Sequence, residues 1–424
     1  MLDIKFIREN TSLVKEAVRK KHLTVDIDRL VILDDQRLEL LKEVEEMRAS
    51  QNEANQKISQ AGENERGLLI SEMSVLKDKL QIKEAELKDV MHNWKTLMIE
   101  VPNLPDMSVP EGESDEDNVE LKIVGDLTKF EFEPKSHIEI MTNLNMVDIE
   151  RGAKVSGFRG YFLKNAGLRL TMALWQLALD LAIKKGYEPI MAPSLVRREP
   201  FMGTGYLPQG EEDLYKTQDG DFLSGTAEVP IMGYLMDEIL KIESLPKKFI
   251  GFSPCFRREA GSHGKDVKGL IRVHEFFKIE QVVLCEATHT ESIKWHEELL
   301  EVAEEYMQLL AIPYRVVTNC TGDLGLGQVK KYDIEAWVPK ENKYRETHSI
   351  SYFHDFQTRR LNLKYKDENN KSRFAHSLNG TLAATPRLLV SLIENYQQAD
   401  GSIIVPDALR KYLGQDVIKP ESTT

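Results

Sequence analysis

Residues 255–280, CFRREAGSHGKDVKGLIRVHEFFKIE, carry arginines, an aromatic run and carboxylates where a core strand would carry aliphatics. In an extended strand alternate residues share a face. LIRVHEFFKIE read as a strand therefore puts Arg272, His274, Phe276, Lys278 and Glu280 on one side. Ile271, Val273, Phe277 and Ile279 fall on the other, with Glu275 the exception. In CFRRE the same alternation pairs Arg257 with Glu259 and opposes Arg258. From Arg272 to Glu280 this polar wall runs roughly 26 Å, room for two adjacent ligands. Arginines can grip phosphate, an aromatic ring can stack on a base, and a carboxylate can meet an ammonium. A solvated hairpin of salt-bridged charges is the competing reading.

A second stretch, NGTLAATPRLLVSLIENYQ (379–397), opens on turn residues and becomes a helix. Thr385 suits an N-cap, Pro386 the first helical position, and Arg387 falls in the first turn. The helix dipole disfavours a cation there unless an anion is bound, and helix N-termini hold phosphate well. An exposed first-turn arginine is the plainer alternative. GDLGLGQ (322–328) does not match G-x-G-x-x-G and reads as a loop. The ten histidines form no H-E-x-x-H, and Cys255, Cys285 and Cys320 lack metal spacing, so no zinc site is expected.

The elements that must position these residues follow from the rest of the chain. Net charge −13 does not advertise nucleic-acid binding, so any such partner must be met by local basic patches. Three scattered cysteines suggest a reducing compartment. The absence of a long apolar run or an apolar leader predicts a cytoplasmic protein without a membrane span. Residues 1–25 hold six Lys and Arg against three Asp and Glu, ending in VRKKH. From 26 to 100 heptads dominate. Leu30, Leu33, Leu40, Val44, Met47, Ala54 and Ile58 share one register, interrupted by Arg37 and Gln51. Met73, Leu76, Leu80, Leu87, Val90, Trp94 and Leu97 share another, interrupted by Lys83. With the polar AGENERG between them, they predict an antiparallel coiled-coil hairpin of two helices, each about 50 Å long; a helical-bundle segment is the alternative. VPNLPDMSVPEGESDEDNVE (101–120) has linker composition, and beyond it helical and strand patterns mix as in an α+β domain. YEPIMAPSLV, with Pro193 inside it, reads as an edge or interface strand.

Together these stretches resemble the seryl-tRNA synthetases, which are class II aminoacyl-tRNA synthetases. FRRE…HEFFKIE resembles motif 2, PRLLVSLIENYQ motif 3 and GYEPIMAPSLV motif 1, while SGTAEVPI resembles the family's serine-binding T-A-E signature. YRETHSIS resembles its E-x-x-S nucleotide segment. The resemblance implies an antiparallel catalytic sheet flanked by helices over 121–424. It also implies a linker at 106–120 and a tRNA-binding domain over 1–105 with its hairpin at about 26–100. It implies serine activation by ATP with Mg²⁺ and without zinc, then charging of serine tRNA (and selenocysteine tRNA where present) through the hairpin, by a homodimer.

Residue by residue, the resemblance gives Thr226, Ala227 and Glu228 to the serine pocket with Asn379 and Thr381, and Glu228 or Glu280 to the ammonium. Arg257 would reach both the serine carboxylate and the α-phosphate. Arg258, Glu259, Arg272, Val273 and Phe276 would hold ATP, with Phe276 on adenine, and Arg387 would grip the γ-phosphate. Glu346, Thr347, His348 and Ser349 would serve ATP, with Glu346 and Ser349 at the metal. LNGTLAATPR departs from the LNGSGLAVGR pattern of bacterial members at Thr381 and Pro386, without removing a catalytic group. The rival readings are a synthetase-like ligase charging a carrier protein and an inactive synthetase-derived binding protein.

Overall fold

The computed structural model describes residues 1–420 apart from Ser262, His263, Lys265, Val267 and Lys268, with the backbone alone for 63–65. It divides into two compact units, Met1–Pro102 and Asn103–Thr424.

In the first unit, short helices α1 (Ile4–Glu9) and α2 (Thr11–Lys20) precede the long helices α3 (Ile27–Gln60) and α4 (Glu63–Glu100). Asp26 caps α3 by accepting from the Arg29 amide. Every heptad position predicted above is partly or wholly buried. Two of the polar exceptions, Arg37 and Lys83, are explained by partners. Arg37 donates to Asp34 at 2.7 Å and lies 4.9 Å over the Trp94 ring; Lys83 reaches Glu43 at 3.1 Å. Arg48 meets Glu84 at 2.7 Å, so one helix's numbering rises as the other's falls, which makes the pair antiparallel. An exposed ion pair such as Arg48–Glu84 adds little, and the apolar seam holds the hairpin closed. AGENERG is less of a break than expected, since only Ala61 and Gly62 separate the helices.

The second unit is built on an eight-stranded sheet. Its strands are β1 (Val119–Val124), β2 (Glu188–Met191), β3 (Lys247–Phe256), β4 (Glu275–Cys285), β5 (Tyr314–Thr318), β6 (Lys330–Val338), β7 (Lys343–Tyr352) and β8 (His376–Thr385). The spatial order is β1-β5-β6-β7-β8-β4-β3-β2. Every pairing is antiparallel except that of β2 with β3. Helices α5 (Asn165–Lys184) and α7 (His289–Leu310) supply Leu170, Leu174, Leu299 and Met307 to the main core. By length and composition α5 could cross a membrane, contrary to the sequence reading, but half of that window is buried inside the protein. Shorter helices α6 (Glu228–Tyr234), α8 (Phe356–Arg360) and α9 (Arg387–Tyr396) border the open face.

Several local readings differ from what the structure holds. LIRVHEFFKIE is strand only from Glu275 onward. Pro193 lies outside β2, and the proline inside that edge strand is Pro189, whose missing N–H costs least at a sheet edge. NGTLAAT is not a turn but the central strand β8, so Thr385 ends a strand instead of capping α9, and Pro386 takes the cap position. The Thr385 hydroxyl instead accepts from the Trp175 indole at 3.0 Å. The proline- and aspartate-rich segment read as a linker is anchored to the second unit: buried Asn103 donates to the Gly327 and Phe353 carbonyls, and the Thr321 amide donates to the Pro110 carbonyl.

Candidate active site

A cleft of about 510 Å³ opens on one face of the sheet, and every residue lining it comes from the second unit. Two β-bulges decide which side chains face it. Between β6 and β7 the register slips at Ile334/Glu335, so Glu346 pairs with Glu335 while His348 pairs with Ile334. An unbroken strand would send Glu346 and Ser349, three residues apart, to opposite faces. The extra residue restores them to the same one, and both line the cleft. Between β4 and β8 the slip at Ile279/Glu280 brings Asn379, Thr381 and Ala384 to the cleft despite their mixed parity.

At one end lies a buried polar pocket. Thr226 donates to Glu280 at 2.8 Å and accepts from Lys278 at 2.9 Å, and Lys278 closes an ion pair with Glu280. Glu228 sits beside them, 3% exposed, accepting from the Tyr206 hydroxyl at 3.0 Å and the Gln357 amide at 2.6 Å. Burial, reinforced by the Glu280 charge, pushes the Glu228 carboxyl up to about 7. The strand beneath must come close: a Cβ on Gly251 would meet Ile231 at 2.4 Å and Ala227 at 3.1 Å.

At the other end the charges are cationic. Arg257 lies 5.1 Å over the Phe276 ring and donates to the Gly225 carbonyl at 3.4 Å. Arg387, at the first position of α9, donates to the Ile271 carbonyl at 3.0 Å and to the Glu346 carboxylate at 3.3 Å. Burial alone would raise the Glu346 carboxyl, but Arg387, Lys331 and Arg257 outweigh it and hold it below its ordinary value. Arg272 is bound to Glu259 at 2.5 Å and lies 3.5 Å from Asp266.

Arg257, Glu259, Arg272, Val273, Phe276, Glu280, Thr347 and Arg387 thus line the same cleft as the pocket residues. Three expected residues do not. Ala227 is fully buried in the core behind the pocket. Arg258 points to solvent, with its amide on the Asp213 carbonyl. His348 is 1% exposed, its ring held by Thr347 and by the Leu382 carbonyl, and burial lowers its pKa to about 4. His274 also leaves the polar wall, because the strand begins after it and its ring contacts the Arg257 carbonyl. Sequence reasoning passed over Tyr206 and the 325–328 rim of the cleft, and Gln357, which donates to Glu228; for Lys278 a signal existed, since it shares a strand face with Glu280.

The arrangement can hold an ammonium at the acidic pocket and polyphosphate at the arginines, with carboxylate and hydroxyl oxygens from Glu346 and Ser349 of the kind a hard divalent cation takes. Among the described residues no three His, Cys, Asp or Glu side chains are grouped to hold a metal by themselves. Residues 1–105 match the seryl-tRNA synthetase N-terminal domain, and residues 215–396 match the tRNA synthetase class II core domain (G, H, P, S and T). The chain is 48% identical to a serine–tRNA ligase of Deinococcus radiodurans, over 98% of each chain. It is 43% identical to that of Thermodesulfovibrio yellowstonii, over 99% of this chain and 100% of the relative. Its fold superimposes on seryl-tRNA synthetase from Pyrococcus horikoshii complexed with ATP with a TM-score of 0.90, at 37% identity and full coverage of both chains. On the serine–tRNA ligase of Naegleria fowleri in complex with AMP the TM-score is 0.87, at 32% identity, covering 100% of this chain and 99% of that one. With near-complete coverage of both chains at these identities, the chain belongs to the seryl-tRNA synthetase family.

Proposed function

We propose that this cleft activates L-serine with ATP and passes the seryl group to the 3′ end of serine tRNA. The observation that carries the site assignment is the meeting, in one cleft, of the buried Thr226–Lys278–Glu280 cluster and Glu228 with Arg257 and Arg387. Arg257 bridges the two ends. It holds the serine carboxylate and the α-phosphate together, two anions that would otherwise repel, and stabilises charge growing at phosphorus. Glu280 already has Lys278 as its cation, so the incoming ammonium falls chiefly to Glu228. Asn379 and Thr381 border the serine hydroxyl. A site built to bond that hydroxyl rejects alanine by leaving its own groups unpaired, while threonine is rejected by size.

Phe276 stacks on the base, Arg387 holds the terminal phosphate, and Glu259 and Arg272 act as a paired support. Glu346 and Ser349 would hold Mg²⁺ with the nucleotide, which when bound neutralises phosphate charge. No zinc site enters this reading. Residues 1–105 form the tRNA-binding domain, gripping the tRNA through the hairpin, with 106–120 as the connection and 121–424 as the catalytic domain. Three buried, unpaired cysteines fit a cytoplasmic setting.

Pyrophosphate exchange into ATP is expected with serine in preference to any other amino acid. Better exchange with threonine, alanine or proline would overturn the assignment. A carrier-protein ligase or an inactive relative is not favoured by full-length similarity to serine–tRNA ligases.

A homodimer is supported by the edge strand β2 and by exposed apolar side chains at its end and just beyond it: Met191 is 78% exposed and Leu195 52%. Light scattering at micromolar concentration should return twice the chain mass. A monomeric mass would contradict this.

A further inference from the structure

Glu228 is held by a chain of residues to which the sequence reading gave no role. Gln357, on α8 and 1% exposed, directs its amide nitrogen to Glu228 Oε1 at 2.6 Å and to the Thr204 carbonyl at 3.3 Å. Its amide oxygen accepts from the Ser377 hydroxyl at 2.7 Å. The orientation is not arbitrary. An ionised carboxylate and a backbone carbonyl can only accept, so the nitrogen must face them and the oxygen must face Ser377. On the opposite side, the Tyr206 hydroxyl donates to Glu228 Oε2 at 3.0 Å. Ser377 lies on β8, two residues before Asn379, so the chain ties the strand bordering the serine hydroxyl to the carboxylate that meets the ammonium.

The geometry points to Gln357 and Tyr206 as positioning residues: together they fix the orientation of the Glu228 carboxylate and favour its charged form for the substrate ammonium. This rests on the serine-activation reading above. Two neutral donors are a modest counterweight for a buried carboxylate, which also faces Glu280 and, beyond it, Lys278 on β4. That balance leaves the group ionising near 7, so serine binding must draw on the deprotonated form. Both donors favour that form, and removing either one raises the pH below which binding is lost.

The test compares Gln357→Met and Tyr206→Phe with the parent in pyrophosphate exchange across pH 5.5 to 9. Gln357→Met should raise KM for serine roughly 10- to 100-fold, the scale of a lost hydrogen bond to a charged group, with KM for ATP within about twofold. The acid limb of kcat/KM for serine should move upward by roughly one pH unit in each variant. Tyr206→Phe removes a single hydroxyl and keeps the ring, so it carries the test if Gln357→Met fails to fold. An unmoved acid limb, or equal changes in the constants for serine and ATP, overturns the positioning role while serine activation by the parent stands. A parent that does not exchange with serine overturns the underlying reading, and this inference with it.

Discussion

Arg257→Ala is expected to slow seryl-adenylate formation by roughly 100-fold or more, with the loss in kcat larger than any change in KM for ATP. The expectation follows from where the guanidinium sits. It rests on the Phe276 face and has one long hydrogen bond to the Gly225 carbonyl, so little of the fold depends on it. Its charge is placed between the acidic pocket and Glu346, where the two reacting anions must approach. A charge-assisted contact made to phosphorus oxygens in the transition state cannot be replaced by water without reorganisation. Arg257→Lys should recover only part of the loss, because a point charge lacks the planar fork that serves carboxylate and phosphate together. Single-turnover adenylation separates this step from tRNA transfer. A rate within a few-fold of the parent would remove Arg257 from the reacting phosphorus.

The hairpin was legible because its signal is periodic: each heptad residue is covered in the structure, and even the intruders Arg37 and Lys83 are accounted for by neighbours on the facing helix. The chemistry of the cleft was legible as residue types, but its facing was not. Strict alternation separates Glu346 from Ser349; only the bulge at Ile334/Glu335 puts the two on one wall. A bulge depends on how a partner strand is seated, which nothing local in YRETHSIS encodes. The same limit explains β8. Asn379 and Gly380 are turn formers in isolation, yet pairing with β4 on one side and β7 on the other overrides that preference. His348 looked like part of a nucleotide segment because it is polar and adjacent; burial of its ring against Thr347 and Leu382 shows it serving the core. Gln357 was invisible, since it meets Glu228 across a sequence separation of 129.

Deleting roughly residues 28–98 and bridging the ends should leave serine-dependent pyrophosphate exchange nearly intact, while tRNA charging falls by orders of magnitude. The first half follows from the cleft, to which no residue of the hairpin contributes. The second rests on the arm as the tRNA-gripping element, and here the charges restrict how it can grip. Residues 26–100 hold 11 Lys and Arg against 17 Asp and Glu, a net −6, so the overall field of the arm repels RNA. Several of those cations are already engaged by carboxylates, Arg37 with Asp34 and Arg48 with Glu84 among them. The basic VRKKH cluster gives less than its sequence promised. Lys21 is 5% exposed, with its pKa lowered to about 7 by burial, and Arg19 lies 2.6 Å from Glu16. Few phosphate contacts remain for such a surface, and shape must do much of the selecting. Each contact releases counterions, so a plot of log affinity against log salt should have a slope of about −3 or shallower. A steep slope would mean that a basic surface elsewhere on the chain carries the tRNA. Normal charging by the deletion variant would assign the arm to another partner altogether.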